Sequence, residues 1–173
     1  MANPMQDIYL DKVVINMGLG SSEDKQEAAK ALIKKLTGRT AAHTESRKRF
    51  PAFGIKKGQI IGVVATLRGE EAHDFLARAI EAAEGKINRK GLANNSVNFG
   101  IKEYIYFSGI KYDPKIGMLG LNVNAFFARK GFRVEHRKIK TSKTGKEHKT
   151  VTKDELASYL EKNFKVKVVE SEA

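Results

Sequence analysis

Apolar and polar residues alternate in several stretches of the chain, with the period of a strand that buries one face. In the first stretch Val13, Ile15 and Met17 share one side, and Asn16 lies on the other. The stretches with this pattern, which we predict to be strands, cover residues 8–17, 59–67, 101–107 and 119–128. Weaker patterns predict strands over 40–49 and 132–139, the latter at a sheet edge. Residues 86–100 are expected to form a loop.

Three other stretches place apolar residues three or four positions apart, as in a helix with one buried face. We predict these helices over 23–37, between Gly69 and Gly85, and from Thr152 to about Asn163. Ser21 and Ser22 are candidate N-caps of the first helix. Thr152 and Glu155 fit a capping box, which predicts a well-defined start for the last helix.

Strands with one apolar face, combined with amphipathic helices, predict an α+β fold in which the helices pack on one face of a sheet. The other face would expose polar residues, namely Asn16, Thr66, Arg68, Asn122 and Asn124. Such residues can bind a partner or simply face water, and the pattern leaves both interpretations open. We expect residues 1–140 to form one domain and residues 141–173 to add a basic linker and a C-terminal helix.

The chain carries a formal net charge of +12, and the excess is concentrated in two segments. Residues 39–57 hold six cations and one anion, and residues 129–149 hold nine cations and two anions. The remaining residues carry equal numbers of each sign. Because a generally basic surface would spread the charge, this distribution favours a nucleic-acid partner. An anionic membrane surface and an acidic protein are minor alternatives.

Residues 47–58, which we call the basic loop, combine cations that can neutralise phosphates with phenylalanines that can stack on bases. The candidate RNA-binding residues of this loop are Arg47, Lys48, Arg49, Phe53, Lys56 and Lys57. The alternative is a solvated, flexible hairpin tip. Phe50 and Phe53 weigh against it, because apolar rings are costly at a tip that nothing covers.

Cations of the second segment interleave with Phe132 and Val134, so we expect about half of this segment to be structured. They are further candidates for contacts with RNA: Arg129, Lys130, Arg133, Arg137 and Lys138. From Lys140 to Thr150 the chain has no large apolar residue, which is typical of a solvated linker or a disordered tail.

Few features favour catalysis. The turn Gly18-Leu19-Gly20 lies between a strand and a helix and could bind a nucleotide phosphate, but Glu23 replaces the third glycine of the dinucleotide fingerprint. The four histidines are scattered and there is no cysteine, so we expect no metal site and no cofactor. The longest apolar run, Ile60 to Ala65, is too short to span a membrane. We therefore expect a cytosolic protein that is not an enzyme.

An ordered series of short motifs covers about residues 8–140. Its members are Val-Val-Ile-Asn-Met-Gly-Leu-Gly (13–20), Leu-Thr-Gly (36–38), Phe-Gly-Ile-Lys-Lys-Gly (53–58), Ala-Thr-Leu-Arg-Gly (65–69), Phe-Gly-Ile-Lys-Glu (99–103), Tyr-Asp-Pro (112–114) and Arg-Lys-Gly-Phe-Arg-Val (129–134). Each motif alone is weak, but the ordered series resembles the large-subunit ribosomal protein L5 family. The basic linker and last helix resemble the archaeal form.

The resemblance implies an antiparallel sheet with helices on one side, and a cytoplasmic protein of the ribosome. It implies that the protein binds 5S rRNA and joins it to 23S rRNA in the central protuberance. The basic loop would reach P-site tRNA, and neighbouring ribosomal proteins would include those of the small-subunit head.

At the residue level, the resemblance assigns 5S rRNA contacts to Asn16 and Thr66. A third family contact, commonly glutamine, falls on Arg39, which can still reach a phosphate. Arg68, Arg47 and Arg49 also suit phosphates. The sheet face is thus interpreted as the 5S rRNA site, and the basic loop as a separate contact with tRNA or rRNA.

Overall fold

The computed structural model describes residues 3–20 and 22–169. Its strands are β1 (Ile8–Gly18), β2 (Ala42–Glu45), β3 (Ile60–Leu67), β4 (Lys86–Asn88), β5 (Leu92–Ala93), β6 (Ser96–Ile101), β7 (Leu121–Arg129) and β8 (Lys167–Val169). Its α-helices are α1 (Glu23–Thr37), α2 (Glu70–Ala82), α3 (Arg133–His136), α4 (Lys146–Lys149) and α5 (Lys153–Phe164). Short 3-10 helices cover Pro4–Gln6, Pro51–Phe53, Arg89–Gly91 and Tyr104–Tyr106.

Six strands form one antiparallel sheet in the order β2-β3-β1-β7-β6-β5. Strands β4 and β8 pair in parallel in a separate two-stranded sheet. The predicted α+β class, with an antiparallel sheet and a C-terminal helix, is confirmed. The predicted strands over 8–17, 59–67 and 119–128 correspond to β1, β3 and β7, and the weak strand over 40–49 is the short β2.

The alternation in β1 places Val13, Ile15 and Met17 in the core, each at most 1% exposed. The core face of the sheet meets the apolar stripes of α1 and α2, which supply residues such as Leu32 and Phe75. A polar side chain also lies in this layer: Gln26 of α1, whose amide donates to the carbonyl oxygens of Gly20 and Ile60. These two bonds satisfy the buried amide and tie the start of α1 to β3.

Helix α1 ends at Gly38, which adopts the left-handed conformation with φ of 71° and donates its N–H to the carbonyl of Lys34. Ser22 is the N-cap residue, but its side chain makes no capping hydrogen bond. Ser21, the other candidate cap, lies outside the described residues.

The capping box predicted for the last helix is confirmed. The Thr152 hydroxyl accepts from the N–H of Glu155, and the Glu155 carboxylate accepts from the N–H of Thr152. Leu156 and Leu160 are fully buried in the same core as the sheet. Because α5 shares this core, it contributes to the stability of the whole α+β unit; the division at residue 140 stays a prediction.

Glu155 links the stability of α5 to pH. Its pKa is lowered from the ordinary 4.5, first by the backbone hydrogen bond at Thr152 and also by Arg129. A lowered folded-state pKa means that the stabilisation is complete above 4.5 and is lost as pH falls through the folded value. Urea unfolding of the wild type should therefore show a loss of less than about 1 kcal/mol from this group in acid, because the pair is partly exposed.

Glu155→Gln isolates the contribution of the charge, since glutamine retains a capping-box acceptor. The variant should be less stable than wild type at neutral pH and should approach it in acid. An equal difference between the two proteins at all pH values would contradict this assignment.

Three local predictions are wrong. Residues 86–100 are not a loop, because they contain β4, β5 and most of β6. Residues 101–107 are not a strand: β6 ends at Ile101 and a 3-10 helix follows, which buries Tyr104 and Phe107 three positions apart. Residues 132–139 contain the single turn of α3 rather than an edge strand. Each error concerns a short element whose conformation depends on distant partners, as with β4, which pairs with β8.

Candidate nucleic-acid interface

The sheet face on the side away from the helices is called the open face. Four asparagines form a patch on it, which we call the amide patch. Cross-strand register places Asn16 opposite Asn122, and Asn124 opposite Asn98. Val14 lies two residues before Asn16 on β1. It pairs with Asn124 of β7 on one side and with Thr66 of β3 on the other. Because opposed side chains on one sheet face lie about 5 Å apart at Cβ, the amides form a compact group.

The amides of this patch are available to a partner. In the described part of the chain, the side chains of Asn16, Asn98, Asn122 and Asn124 make no hydrogen bond. Gly100 lies opposite Asn122, and a methyl group there would come within 3.1 Å of the Asn122 Oδ1. A cavity of about 430 Å³ opens beside this group and is lined by Asn16, Asn122, Lys102 and glycines 18, 100 and 120. The site can therefore donate and accept several hydrogen bonds at once.

The other residues assigned to the 5S rRNA site are distributed unevenly. Thr66 lies on the open face next to Val14, and its hydroxyl is unpaired within the described residues. Arg68 follows the end of β3 and is exposed. Arg39 is engaged elsewhere: its Nε and Nη2 donate to the Glu71 carboxylate at 2.6 and 3.0 Å, which lowers the pKa of Glu71. An RNA phosphate would have to compete with Glu71 for this guanidinium.

The basic loop is held in a defined hairpin. At its base, Ser46 N–H donates to the Gln59 carbonyl, and Gly58 N–H donates to the Ser46 carbonyl, both at 2.8 Å. Nearer the tip, Phe50 and Ile55 exchange backbone hydrogen bonds of 2.9 and 3.1 Å. A 3-10 turn at Pro51–Phe53 closes the tip. The loop is thus an ordered extension of the β2–β3 hairpin.

This hairpin presents unpaired cations along both limbs. Arg47, Lys48 and Arg49 on one limb and Lys56 and Lys57 on the other are exposed, and none has a carboxylate partner among the described residues. At the tip Phe53 is 77% exposed and Phe50 47%. Cations that flank an exposed ring are suited to a nucleic acid, because phosphate and base can be contacted together.

The second basic segment is largely folded rather than a solvated linker. Lys149 Nζ donates to Glu135 at 2.7 Å, His148 contacts the Lys130 carbonyl at 2.9 Å, and helix α4 lies within the predicted linker. Two predicted RNA contacts are held in ion pairs, Arg129 with Glu155 and Lys130 with Asp7. Three predicted contacts remain exposed and without a carboxylate partner in the described residues: Arg133, Arg137 and Lys138.

The two basic regions lie at opposite ends of the sheet. Gly62 of β3 pairs with Gly18, the last residue of β1, and with Thr44 of β2. The basic loop, which joins β2 to β3, therefore extends from the end of the sheet at Gly18. The second segment begins where β7 ends, at Arg129, which lies opposite Ile8 at the other end of β1. The uncharged amide patch therefore lies between two positive regions, an arrangement that an extended polyanion can bridge.

The sequence matches two models of one family along nearly its whole length. Residues 3–56 match the model described as "Ribosomal protein L5", and residues 60–159 match the model of the C-terminal region of the same ribosomal family. The large ribosomal subunit protein uL5 of Pyrobaculum aerophilum is 41% identical over 167 residues, which cover 96% of this chain and 93% of that protein. The chain belongs to the ribosomal protein L5 family. The uL5 protein of Nanoarchaeum equitans, at 37% identity, covers 98% of this chain and 100% of its own length.

Membership in the L5 family confirms the predicted resemblance, including its archaeal character, since the uL5 protein of Archaeoglobus fulgidus is also 39% identical over 92% of this chain. The family assignment supports a structural role in the ribosome. Within the described residues of this L5 chain, no helix is long and apolar enough to cross a membrane, and no group of histidine and acidic side chains is arranged to hold a metal ion.

In the L5 chain, the backbone N–H groups of the glycine turn, which could bind a phosphate in a nucleotide-binding enzyme, are already hydrogen-bonded within the protein. The N–H groups of Leu19 and Gly20 both donate to the Ile61 carbonyl, at 3.0 and 3.1 Å. A phosphate-binding turn needs such N–H groups to point at the ligand. This geometry disfavours a nucleotide site at residues 18–20.

Sequence reasoning missed two residues of the open face, Asn98 and Gly100. A signal was present: Val97, Phe99 and Ile101 alternate with Ser96, Asn98 and Gly100 after an Asn94-Asn95 turn. The asparagines and glycines of this stretch lower its strand propensity, which is why its composition favours a loop. In this L5 chain the same residues give β6 a polar outer side next to β7.

Proposed function

We propose that the open face binds 5S rRNA, and that the protein thereby links 5S rRNA to 23S rRNA in the central protuberance of the large ribosomal subunit. The observation that carries this proposal is the amide patch between two basic regions, whose side chains have no hydrogen-bond partner in the part of the chain that the structure describes. The relatives are named as large ribosomal subunit proteins, which supports a place in the cytoplasmic ribosome for this chain.

The chemistry of the patch suits structured RNA. Proteins recognise such RNA through phosphates and 2′-hydroxyls in a shallow minor groove, and through base edges in loops. A carboxamide donates and accepts at once, so Asn16 can pair with a 2′-hydroxyl or a base edge. Thr66 can pair with a hydroxyl, and Arg68 can bind a phosphate. Arg39 would join them only by exchanging Glu71 for a phosphate.

Competition among RNAs tests this proposal. The full-length protein is mixed with total ribosomal RNA at moderate salt, and the retained RNA is identified. We expect selective retention of 5S rRNA, because shape and amide contacts remain when nonspecific phosphate contacts are screened. Retention of all RNAs in proportion to their length would reject specific 5S rRNA binding.

We also propose that the basic loop contacts P-site tRNA. The hairpin extends beyond the sheet with the exposed Phe53 and with five cations that have no carboxylate partner among the described residues. An ordered loop loses less entropy on binding than a flexible one, so this tip is prepared for a rigid partner. The small-subunit head is a further proposed neighbour, to which we assign no residue.

Lys56→Ala with Lys57→Ala separates the two surfaces. The double variant should bind 5S rRNA almost as well as wild type, because both lysines lie on the loop rather than on the open face. Ribosomes that carry it should hold P-site tRNA more weakly, with a salt dependence reduced by about two phosphate contacts.

A matched control replaces Lys25 and Lys34, which are exposed lysines of α1 and have no carboxylate partner among the described residues. Equal losses of 5S rRNA affinity and tRNA binding in the loop variant would show that the loop belongs to the 5S rRNA site.

The exposed cations of the second basic segment, Arg133, Arg137 and Lys138, are proposed as further rRNA contacts. Arg129 and Lys130 are less available, because Arg129 is only 13% exposed and pairs with Glu155, and Lys130 pairs with Asp7. Their proposed contribution is to keep the segment folded while the free cations meet RNA.

A further inference from the structure

Three rings follow one another from the open face into the second basic segment. Phe126 lies on the open face, two residues beyond Asn124 on β7. Its ring centroid is 5.7 Å from that of Phe132, which is 4.6 Å from that of His136. Lys12 Nζ lies 5.2 Å from the Phe126 centroid. The aromatic series therefore continues the RNA-facing surface beyond the amide patch.

The series ends in solvent at a cationic site. His136 is exposed, and so are Arg133, Arg137 and Lys138 around it. The Arg137 Nε donates to the Lys140 carbonyl at 2.8 Å, which fixes the base of the guanidinium. Its other donors have no partner among the described residues. Ile139 is 77% exposed next to these groups. The site thus combines an open ring, an apolar side chain and several cations.

The carboxylate next to His136 in the sequence, that of Glu135, is paired within the protein. Glu135 accepts from Lys149 Nζ at 2.7 Å and from the Thr144 hydroxyl at 3.2 Å. The hydrogen bond from Lys149 is the main cause that lowers the pKa of Glu135, and the charges of Lys149 and His136 add to it. The carboxylate is thus paired, and the local excess of charge stays positive.

We propose that His136 is the exposed end of a stacking platform for an unpaired RNA base, and that Arg133 and Arg137 hold the adjoining phosphates. Every base has a π-face that can stack on an aromatic ring, and arginines beside the ring neutralise the backbone. An acidic protein would use the cations but not the ring series. The inference rests on the proposed function only in taking RNA as the partner, and it places a second contact beyond the amide patch.

The chain contains no tryptophan, so a single introduced indole can report on this site alone. We would titrate full-length His136→Trp with a short oligoadenylate and with an abasic oligomer of the same length. The base should quench the indole fluorescence, and the abasic oligomer should not. Adding Arg133→Ala should weaken the oligoadenylate titration severalfold. Equal quenching by both oligomers, or none by either, would overturn the proposal.

Affinity gives an independent readout. In a Phe53→Ala background, which removes the ring at the loop tip, His136→Ala should lower oligoadenylate affinity about fivefold or more, and His136→Phe should restore most of it. His43→Ala is the matched control, because His43 is exposed on β2. Tighter binding of an acidic peptide than of oligoadenylate would reject RNA as the ligand.

The two proposals can fail separately. If His136→Ala has no effect on oligoadenylate while Asn16→Ala weakens 5S rRNA binding, only the stacking platform is rejected. If stacking at position 136 is observed while 5S rRNA is not selected over other RNAs, the stacking platform is supported and specific 5S rRNA binding is rejected.

Discussion

Asn16→Ala is expected to weaken 5S rRNA binding by about thirtyfold. Asn16 is the member of the amide patch that β1 contributes; it lies opposite Asn122 and lines the cavity at the end of the open face. Its amide has no partner within the described residues, so it is free to bond to RNA. Its removal would leave the RNA group buried and unpaired, which costs about 2 kcal/mol. Affinity should be measured by filter binding at fixed salt.

Two comparisons make this prediction specific. Asn88→Ala removes an exposed asparagine in the separate β4–β8 sheet and should leave affinity unchanged. The salt dependence of Asn16→Ala should match that of wild type, because an uncharged amide releases no counterion. A thirtyfold loss accompanied by a lower unfolding free energy would instead indicate damage to the sheet, since Asn16 lies on a central strand. The same loss in both variants would remove the open face from the 5S rRNA site.

Long, strongly periodic elements could be predicted from the sequence because their patterns reflect burial in one layer. β1, β3, β7 and the three long helices bury one regular stripe each, so local spacing is enough to identify them. The open face followed from the same patterns, as the side that the apolar residues leave. The capping box of α5 was also predictable, because its chemistry lies within four consecutive residues.

The remaining structure depends on contacts between distant residues. β6 has a weak pattern of its own, but it gains a complete ladder with β7. β4 pairs with β8 across about half of the chain, which no local window can detect. The pairing of Arg39 with Glu71 and of Arg129 with Glu155 likewise requires the tertiary fold. The family resemblance made Arg39 a candidate contact and the charge of the second basic segment made Arg129 one, but neither could show that these arginines are already paired within the protein.

Asn95→Ala is expected to lower the free energy of unfolding by about 3 kcal/mol. The Asn95 side chain donates to the carbonyls of Phe127 and Lys149, at 3.2 and 3.0 Å, and accepts from the N–H of Val151 at 3.2 Å. It thus connects β7 to the chain that leads into α5. Each lost bond costs about 1 kcal/mol, and Val151 is fully buried, so its N–H would lack a partner.

Backbone conformation adds to this effect, because Asn95 has φ of 65°, which alanine tolerates poorly. Asn95→Gly separates the two causes: it relieves the backbone strain but restores none of the three hydrogen bonds. We expect urea unfolding to rank wild type above Asn95→Gly, and Asn95→Gly above Asn95→Ala. Asn94→Ala, at the exposed neighbouring position, should be nearly neutral. Hydrogen exchange of the Val151 amide should accelerate in both Asn95 variants, because α5 and the second basic segment depend on the Asn95 hydrogen bonds to stay packed against the sheet. Unchanged protection of this amide would contradict a connecting role for Asn95.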